Sequence, residues 1–445
     1  MAGVELFEHQ KVALSLMRVN DGFALFMEQG TGKTFPVLFR LAELAEQDRI
    51  KSALVVAPKA VCTSWKEKLK LLSDSQRAAL ESIDLEVASY DFVWRREEIR
   101  DAAYDALVLD ESHYIKNPAA KRTKACLALA SRAKYRYIMT GTPTSNGQLC
   151  NVWAQFAAVC PVVNRGRVYP EVFGGISYYL WLESVAYLNK YHQPYKYKNV
   201  SEIQEAMSAL SYRITKEECL DLPEKMPDEI LHVGLAHEAV RPYRQMLKSS
   251  AIVELDTLAG NPLTRALRLR QLASGFIVKD DGTVTEYASP KISALKEFLS
   301  DFEGKFVIFC EFHHSIDAVA ALLDSMGIGF TTLDGRSKDK GVWKDFQEDP
   351  GIRGIVVQYA SGSAGIDLYA ADTCIFFEPT LSSNLNEQAK DRIHRIGQHR
   401  SCSYYYLIAD GSIEADIYNA LSNYADFGEA LFTKYLREYA KGDAV

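Results

Sequence analysis

The sequence predicts an α/β protein made of two doubly wound parallel-sheet lobes with helical insertions. In both halves of the 445-residue chain, short apolar runs typical of parallel strands buried on both faces alternate with helical patterns, and Ala53–Pro58 is one such run. In the first half, residues 22–34 also pass from an apolar strand through a glycine loop into a helix. Open α/β sheets hold their ligands at the carboxyl ends of the strands, so functional residues are expected there.

Composition limits the classes of function. With 48% apolar residues, the chain can bury the cores of two or three domains. Its net charge of −7 means that a nucleic-acid contact would have to come from a local basic surface. The eight cysteines include no C-x-x-C pair, which indicates a reducing compartment without a zinc site or a disulfide framework. Neither a signal peptide nor a membrane span is expected, and the predicted localisation is cytoplasmic.

The first predicted strand, Phe23–Met27, ends in the short G-x-G-K-T core of a phosphate-binding loop. The loop reads Glu28, Gln29, Gly30, Thr31, Gly32, Lys33 and Thr34, and a helix follows it from about Phe35. Glycines let backbone N–H groups close around phosphate oxygens, and the helix N-terminus adds its positive dipole end. Lys33 is expected to reach the β- and γ-phosphates, and the Thr34 hydroxyl to ligate Mg²⁺.

Gln10 lies just upstream of this loop, on an amphipathic helix that opens the chain. A glutamine amide can pair with the N6 and N7 atoms of adenine, as it does in DNA readout. The alternative is that Gln10 is an ordinary polar residue of that helix. Beside a phosphate-binding loop, adenine recognition is the preferred interpretation.

Two adjacent carboxylates, Asp110 and Glu111, directly follow the apolar run Ala106–Leu109. Beside a nucleotide, Asp110 would hold Mg²⁺, usually through water, and Glu111 would orient and deprotonate the attacking water. The alternative is a solvated acidic turn after a buried strand, which is the weaker interpretation in a chain that also has a phosphate-binding loop.

A small-residue turn follows the next predicted strand, Tyr137–Met139. It consists of Thr140, Gly141 and Thr142, with Pro143 behind them. A turn of this kind could lie close to the phosphates or to the acidic pair and report the state of the nucleotide.

The domain boundaries are predicted from the places where the alternation of strand and helix patterns is interrupted. Residues 146–212 are interpreted as a helical protrusion of the first lobe, and residues 221–227, with two prolines, as the linker. The lobes would then be residues 1–225 and 226–412, with a second helical protrusion over 237–275 and bracing helices over 413–445. The first protrusion is rich in aromatic residues, namely Tyr178, Tyr179, Trp181, Tyr187, Tyr191, Tyr195 and Tyr197. Packing between helices is the preferred interpretation of these rings over a base-stacking platform.

The second half repeats the strand and helix alternation without a phosphate-binding loop of its own. Its predicted strands are Phe306–Phe309, Phe330–Leu333, Ile355–Val357, Cys374–Phe377 and Tyr404–Leu407. If a helix opens near Asn384, then Gln388, Arg392 and Arg395 fall on one of its faces. Two guanidiniums there could stabilise a γ-phosphate in its transition state. A solvated charged face is the alternative. Residues 361–368 form a small-residue loop that could carry phosphate or backbone contacts.

The order of these motifs resembles that of the Swi/Snf-type ATPases of helicase superfamily 2. The resemblance covers nearly the whole chain, and its Arg-Ile-Gly-Gln ending is more specific than the Walker-type motifs. Asp367 departs from the family pattern, in which Asn is frequent at that position. The matching residues are Gln10, Glu28–Thr34, Asp110–His113 with Lys116 and Asn117, Thr140–Pro143 with Asn146, Leu222–Lys225, Leu333–Gly335, Ser361–Leu368, and Gln388, Arg392 and Arg395–Gln398.

The resemblance implies a DNA-dependent ATPase with two RecA-like lobes that bind ATP and Mg²⁺ between them. Lys33, Thr34, Asp110 and Glu111 would act from one lobe, and Arg392 and Arg395 from the other, with Gln388 among the ATP-binding residues. The residues expected to couple the nucleotide to movement are His113, Thr140, Gly141, Thr142, Gly365 and Asp367. The chain looks like a compact bacterial or phage member, so a monomer in a bacterial or infected host cell is expected. The sequence does not identify a protein that would recruit it.

Relatives in this family translocate on duplex DNA, so the expected partner is duplex DNA gripped without regard to sequence. The residues proposed to line the track are Lys59, Lys116, Asn117, Arg336 and Ser361, beside further basic residues at positions 121, 122, 124 and 338. Two other functions stay open at this point. One is a helicase that separates strands with a wedge element, and the other is a nucleotide-gated remodeller of protein–nucleic acid complexes without sustained movement.

Overall fold

The chain divides into two units, Met1–Asp221 and Leu222–Val445. The structure, a computed structural model, describes residues 3–59, 61–144, 148–252, 255, 257–337, 339, 341–362, 366–428 and 431–436. Three residues named in the sequence analysis, Asn146, Lys338 and Gly365, lie outside these ranges.

A six-stranded sheet forms the centre of the first unit. All neighbouring strands are parallel, in the order β10-β1-β5-β4-β2-β3. The strands of the unit, in chain order, are β1 (Gly22–Met27), β2 (Ser52–Ala57), β3 (Asp84–Ser89), β4 (Ala106–Asp110), β5 (Tyr135–Met139), β6 (Pro161–Asn164), β7 (Arg167–Pro170), β8 (Ala186–Leu188), β9 (Pro194–Tyr197) and β10 (Ser211–Ile214).

Helices cover both faces of this sheet. In chain order they are α1 (Glu8–Val19), α2 (Thr34–Glu46), α3 (Cys62–Leu69), α4 (Asp74–Glu81), α5 (Tyr90–Arg95), α6 (Glu97–Asp101), α7 (Lys121–Ala130), α8 (Val152–Val159), α9 (Tyr178–Val185), α10 (Val200–Ser208) and α11 (Lys216–Cys219). Side chains of β1 alternate between two cores: Ala24 and Phe26 join one, and Phe23, Leu25 and Met27 join the other. Burial of both faces explains why this strand has a continuous apolar sequence.

The second unit is built around another fully parallel six-stranded sheet, in the order β11-β20-β19-β16-β18-β17. Its strands are β11 (Lys225–Val233), β12 (Ala251–Ile252), β13 (Thr257–Leu258), β14 (Phe276–Val278), β15 (Val284–Glu286), β16 (Phe306–Cys310), β17 (Phe330–Leu333), β18 (Gly354–Gln358), β19 (Thr373–Phe376) and β20 (Cys402–Ala409). Its helices are α12 (His237–Ser249), α13 (Pro262–Ala273), α14 (Pro290–Ser300), α15 (His313–Ser325), α16 (Val342–Glu348), α17 (Tyr359–Gly362), α18 (Ser383–Lys390) and α19 (Ile413–Ser422). The predicted fold class, two parallel α/β sheets, is confirmed.

Several predicted boundaries differ from the structure. The predicted linker over 221–227 already contains the start of β11 at Lys225, an edge strand that pairs with β20. Proline is tolerated at a sheet edge, so Pro227 does not end the strand there. Helices α12, α13 and α19 share one core of the second unit with Phe427 and Phe432, and the bracing role expected of residues 413–445 stays a prediction.

The insertion over 146–212 was predicted to be largely helical, but the structure alternates its helices with two antiparallel hairpins, β6–β7 and β8–β9. The first hairpin turns at Arg165 and Gly166, both at positive φ (49° and 74°), the backbone that a tight hairpin turn requires. Helix α8 and parts of the insertion pack into the sheet core through Phe156, Phe173 and Trp181. Among the helices that the structure describes, none has the length and apolarity of a membrane span.

Candidate functional site

The loop after β1 has the closed geometry that phosphate binding requires. Gly30 and Gly32 adopt positive φ (84° and 77°), and the Thr31 hydroxyl donates to the carbonyl oxygen of Glu28 at 2.7 Å. Lys33 is only 8% exposed, and its Nζ donates to the same carbonyl at 3.2 Å. The predicted strand, glycine loop and helix are therefore present, with the lysine ammonium folded back over the loop.

Gln10 and His9 fasten this loop from helix α1. The Gln10 Nε2 donates to the carbonyls of Thr31 and Gly32 at 3.1 and 3.3 Å, and its Oε1 accepts the N–H of Phe7 at 3.0 Å. The His9 Nε2 lies 2.8 Å from the Thr31 carbonyl oxygen. A Cβ on Gly32 would lie 2.3 Å from Gln10 Nε2, so this approach requires glycine. Both amide hydrogens of Gln10 thus serve the loop, and adenine recognition stays a prediction.

A substitution at Gln10 can separate these two roles. We expect Gln10→Ala to weaken binding of ATP and of tripolyphosphate, which has no base, by a similar factor. Leaving buried carbonyls unpaired costs roughly 1–3 kcal/mol, or about fivefold to 150-fold in affinity. Titration calorimetry in the presence of Mg²⁺ measures both constants. The control is Lys11→Ala, on the exposed side of the same helix. Unchanged tripolyphosphate binding with weakened ATP binding would instead assign Gln10 to adenine.

Asp110 ends β4 beside the phosphate-binding loop. The Trp65 indole N–H donates to its Oδ2 at 2.8 Å, and the Lys68 ammonium donates to the Thr34 hydroxyl at 2.9 Å. Burial raises the pKa of Asp110 to about 6 and the charge of Glu111 adds to the rise, whereas the hydrogen bond from Trp65 and the charges of Lys68 and Lys33 oppose it. A cation near Asp110 would favour its ionised form.

The residues around Thr34 and Asp110 suit Mg²⁺. Both offer oxygen atoms, which hard divalent cations prefer, and a positive group, the Lys68 ammonium, already binds the Thr34 oxygen. Within the described ranges, no group of three or more His, Cys, Asp or Glu side chains could hold a metal. Few protein ligands are expected for Mg²⁺ in a nucleotide site, because phosphates and waters supply the rest.

Glu111 is held by the residues predicted to couple the nucleotide to movement. The Thr140 hydroxyl donates to its Oε2 at 3.1 Å, and the His113 Nδ1 lies 3.2 Å from the same oxygen. The Thr142 N–H in turn donates to the Thr140 hydroxyl at 3.1 Å. Burial alone would raise the pKa of Glu111, but His113, Lys33 and Thr140 outweigh it and hold the pKa at about 2. Glu111 is therefore a fixed carboxylate at neutral pH.

The turn at Gly141 packs directly on the phosphate-binding loop. A Cβ on Gly141 would lie 3.0 Å from both the Cγ and the backbone nitrogen of Gln29. The predicted proximity of the 140–142 turn to the loop and to the acidic pair is thus present in the first unit.

In the second unit, the predicted arginines converge on one loop, but not from one helix face. Helix α18 ends at Lys390, so Arg392 and Arg395 lie in the turns that follow it. The Arg392 carbonyl accepts the N–H of Leu368, a residue of the loop before β19. Both guanidiniums then donate to the Ile366 carbonyl, at 3.4 Å from Arg392 and 3.1 Å from Arg395.

The side chains of this region are already engaged. Arg395 forms an ion pair with Asp367. Gln388, 7% exposed, donates to Asn384 Oδ1 at 3.4 Å, within its own helix. Gln398 ties the segment down, because its Nε2 donates to the carbonyls of Ala371 and Ile393 at 2.7 and 3.1 Å. Arg392 and Arg395 therefore lie in a segment that is held by hydrogen bonds and an ion pair, and they do not form a solvated helix face.

Comparison with known families decides the assignment. Residues 8–274 match the SNF2-related domain, and residues 290–397 match the helicase conserved C-terminal domain. The chain belongs to the SNF2-related family. Its two matched domains indicate an ATP hydrolase of helicase superfamily 2, and its two parallel sheets correspond to the RecA-like lobes of that family. The recognition made from the motif order is confirmed.

Individual relatives are distant. An uncharacterized ATP-dependent helicase of Mycoplasma pneumoniae is 25% identical over 418 residues, covering 88% of this chain and 38% of that protein. SWI/SNF-related matrix-associated actin-dependent regulator of chromatin subfamily A-like protein 1 of Xenopus tropicalis is 23% identical, covering 93% and 43%. The chain thus spans about two fifths of the length of these relatives. Among solved structures, it is similar to the Sulfolobus solfataricus SWI2/SNF2 ATPase core in complex with dsDNA, with 24% identity, a TM-score of 0.44, and coverage of 99% and 94%.

Three side chains of this SNF2-related chain that contact the candidate site or its loops were not predicted from the sequence. Trp65 and Lys68 act from α3, and their contacts with Asp110 and Thr34 depend on tertiary structure. Fully buried Gln155 accepts from the Ser112 hydroxyl at 2.7 Å and donates to the Pro143 carbonyl at 2.7 Å, joining the loops after β4 and β5. Gln155 could have been found in the sequence as the single amide within the apolar run 152–159. A polar residue in such a run is expected to be buried, and a buried polar group needs hydrogen-bond partners.

The residues predicted to contact DNA have different surroundings. Lys59, Lys116 and Asn117 are exposed near the ends of strands of the first sheet. Arg336 is instead paired with Asp317 and Asp334, so a phosphate would have to compete with two carboxylates for its guanidinium. Ser361 is half-buried in α17. Their contacts with DNA stay predictions.

Proposed function

We propose that this chain is an ATP-driven motor that moves along duplex DNA without reading its sequence and thereby remodels DNA or protein–DNA complexes. The observation that carries the proposal is the linkage of the acidic pair to the phosphate-binding loop. Trp65 holds Asp110, Lys68 holds Thr34, and Thr140 holds Glu111, all within the first unit. A fixed carboxylate next to a phosphate cradle is the arrangement that phosphoanhydride hydrolysis needs.

In this proposal the loop residues bind the nucleotide. Lys33 would exchange its contact with the Glu28 carbonyl for the β- and γ-phosphates, which is a stronger, charge-assisted interaction. Thr34 and Asp110 would hold Mg²⁺, whose positive charge would neutralise part of the phosphate charge. Lys68 would then release the Thr34 hydroxyl and remain as a positive charge beside the phosphates.

Glu111 would position the attacking water. Thr140 and His113 both contact Oε2 of its carboxylate, so Oε1 would be the oxygen that accepts a hydrogen bond from water. Glu111 has a left-handed backbone conformation, at φ 52°, immediately after β4 ends at Asp110, and such conformations cluster at functional sites. The hydrogen bonds from Thr140 and His113 would also make Glu111 sensitive to the state of the 140–142 turn.

Arg392 and Arg395 would act on the γ-phosphate from the second unit. Planar guanidiniums that are always charged suit the charge spread over the equatorial oxygens of a phosphoryl group in transfer. In the present state Arg395 binds Asp367, so its engagement with ATP would require this ion pair to open. We propose that Arg395 exchanges the Asp367 carboxylate for the γ-phosphate of ATP, and that this exchange links the nucleotide state to the loop at Asp367.

The test of the proposal is stimulation by nucleic acid. We expect ATP hydrolysis to rise on addition of duplex DNA, at least as much as with single strands, and to be independent of base sequence. Because each phosphate contact releases a counterion, binding to duplex DNA should weaken steeply with salt, with a logarithmic slope of about −0.9 for each contact. Lys59→Ala should reduce this slope, and Lys51→Ala, an exposed lysine paired with Asp48, is the matched control.

Movement itself requires a second measurement. Displacement of a third strand from a triplex reports translocation on duplex DNA without separation of its strands. Unwinding of a forked duplex without preference for intact duplex would favour the strand-separating helicase. Hydrolysis stimulated by DNA without triplex displacement would favour the nucleotide-gated remodeller. Hydrolysis indifferent to DNA, with no salt-sensitive binding at low ionic strength, would contradict all three.

A further inference from the structure

The hairpin formed by β8 and β9, residues 186–198, has an exposed face that the ATPase site does not use. We call it the tyrosine hairpin. It contains four tyrosines and three lysines and no carboxylate residue, in a chain whose net charge is −7. A positive, aromatic segment in an acidic protein is a local exception to the bulk charge.

The inner face of the tyrosine hairpin is anchored to the body of the first unit. Ala186 is buried and pairs across the strands with Tyr197. The Tyr197 hydroxyl accepts the N–H of Cys150 at 3.1 Å. This tyrosine therefore belongs to the packing between elements that the sequence analysis preferred for the whole aromatic group.

The outer face is different. Tyr187 is 49% exposed and Tyr195 69% exposed, and their ring centroids lie 6.4 Å apart. Tyr187 pairs across the strands with Lys196, and the Lys198 ammonium lies 4.7 Å from the Tyr187 ring centroid. Packing between helices is therefore the wrong interpretation for these two rings, because about half or more of each residue is exposed and a lysine, not a helix, lies over the Tyr187 ring.

The tip of the hairpin repeats this combination. Tyr191 is 69% exposed, with the Lys190 ammonium 5.0 Å from its ring centroid. The tip is shaped by Asn189, whose Oδ1 accepts the N–H groups of Tyr191 and Gln193 at 2.9 and 3.0 Å. The rings are thus presented on a defined turn, so the entropic cost of ordering them against a ligand is small.

We propose that the tyrosine hairpin is a contact for unpaired nucleic-acid bases. Exposed aromatic rings offer sequence-tolerant stacking surfaces, and adjacent lysines match the phosphates between successive bases. In duplex DNA the base faces are covered by their neighbours, so the rings select single-stranded segments. The function is distinct from the grip on duplex DNA proposed above, and it does not depend on ATP hydrolysis.

Equilibrium binding without ATP tests this proposal apart from the motor function. The probes are a fluorescent oligothymidylate and an abasic strand of equal length, followed by anisotropy over a range of salt concentrations. We expect Tyr187→Ala with Tyr195→Ala to weaken oligothymidylate binding by at least about fivefold and to leave abasic-strand binding unchanged. Lys190→Ala with Lys196→Ala should weaken both strands and reduce the salt slope, by about 0.7 for each phosphate that is no longer neutralised.

The matched control is Tyr424→Ala, because Tyr424 in the second unit is 69% exposed, like Tyr191 and Tyr195. Circular dichroism and thermal melting establish that each variant is folded, and the substituted tyrosines are exposed ones so that the core is preserved. Oligothymidylate binding by the Tyr187 and Tyr195 double variant within twofold of the parent would overturn the proposal. The exposed face of the tyrosine hairpin would then be assigned to contact with a protein partner. Failure of DNA-stimulated hydrolysis would not affect the result, since these measurements contain no nucleotide.

Discussion

Glu111→Gln is expected to bind ATP with nearly parental affinity while losing turnover by roughly 10²- to 10⁴-fold, the usual contribution of a general base. The substitution keeps the size of the side chain and the oxygen that accepts from Thr140. It removes the negative charge that would orient and deprotonate water. Binding of ATP by calorimetry and steady-state hydrolysis at saturating ATP measure the two effects separately.

Lys33→Ala is the contrasting variant. It removes a positive charge from the phosphate-binding loop, so the expected defect lies in the affinity for ATP. Undiminished hydrolysis by Glu111→Gln would refute the assignment of the base. Loss of binding in Glu111→Gln to the extent seen in Lys33→Ala would mean instead that Glu111 maintains the loop.

Arg395→Ala is expected to retain ATP binding by the first unit and to lose turnover by about 10³-fold or more, the effect typical of an arginine that stabilises transferring phosphate. Arg395→Lys should fail similarly, because an ammonium cannot reproduce the planar fork of donors. Arg400→Ala is the control: this arginine is exposed and pairs with Asp372, away from Arg395 and its contacts, so turnover should be retained.

Arg392 needs a second readout. Its side chain is only 8% exposed and donates to the Ile366 carbonyl, so Arg392→Ala is expected to lower the melting temperature as well as turnover. Arg395, which is less buried, should affect turnover without a comparable loss of stability. Near-parental rates in both Arg395 variants would mean that this arginine only holds the 366–368 loop.

The sheets were predicted best where strands are covered on both faces. The continuous apolar runs of β1, β2 and β4 reflect a strand with neighbours on each side and helices on each face. The three sheet strands that were missed, β3, β10 and β11, are all at sheet edges. An edge strand is partly exposed, so its sequence carries a weaker apolar signal.

The site was predicted where its chemistry is contiguous in sequence. Residues 28–34 form one local motif, and Asp110 and Glu111 form another. The residues of a local motif are close together in the chain, so their spacing can be recognised directly in the sequence. Contacts from Trp65 and Gln155 were missed because each joins segments that only the fold brings together. The prediction of one helical face through Arg392 was wrong because helix α18 ends at Lys390, and the Arg392 carbonyl bonds instead to the distant Leu368 N–H.

The absence of a side chain at Gly141 affects how the 140–142 turn and the phosphate-binding loop can be exchanged between homologous proteins. Because a Cβ there would press on the backbone of Gln29, the turn and the phosphate-binding loop fit as a matched pair with no slack between them. A Cβ at position 141 would require Gln29 to give way by a few tenths of an ångström. Segments exchanged between distant homologues would therefore fit best if both loops were carried together, even though more than a hundred positions separate them in the chain.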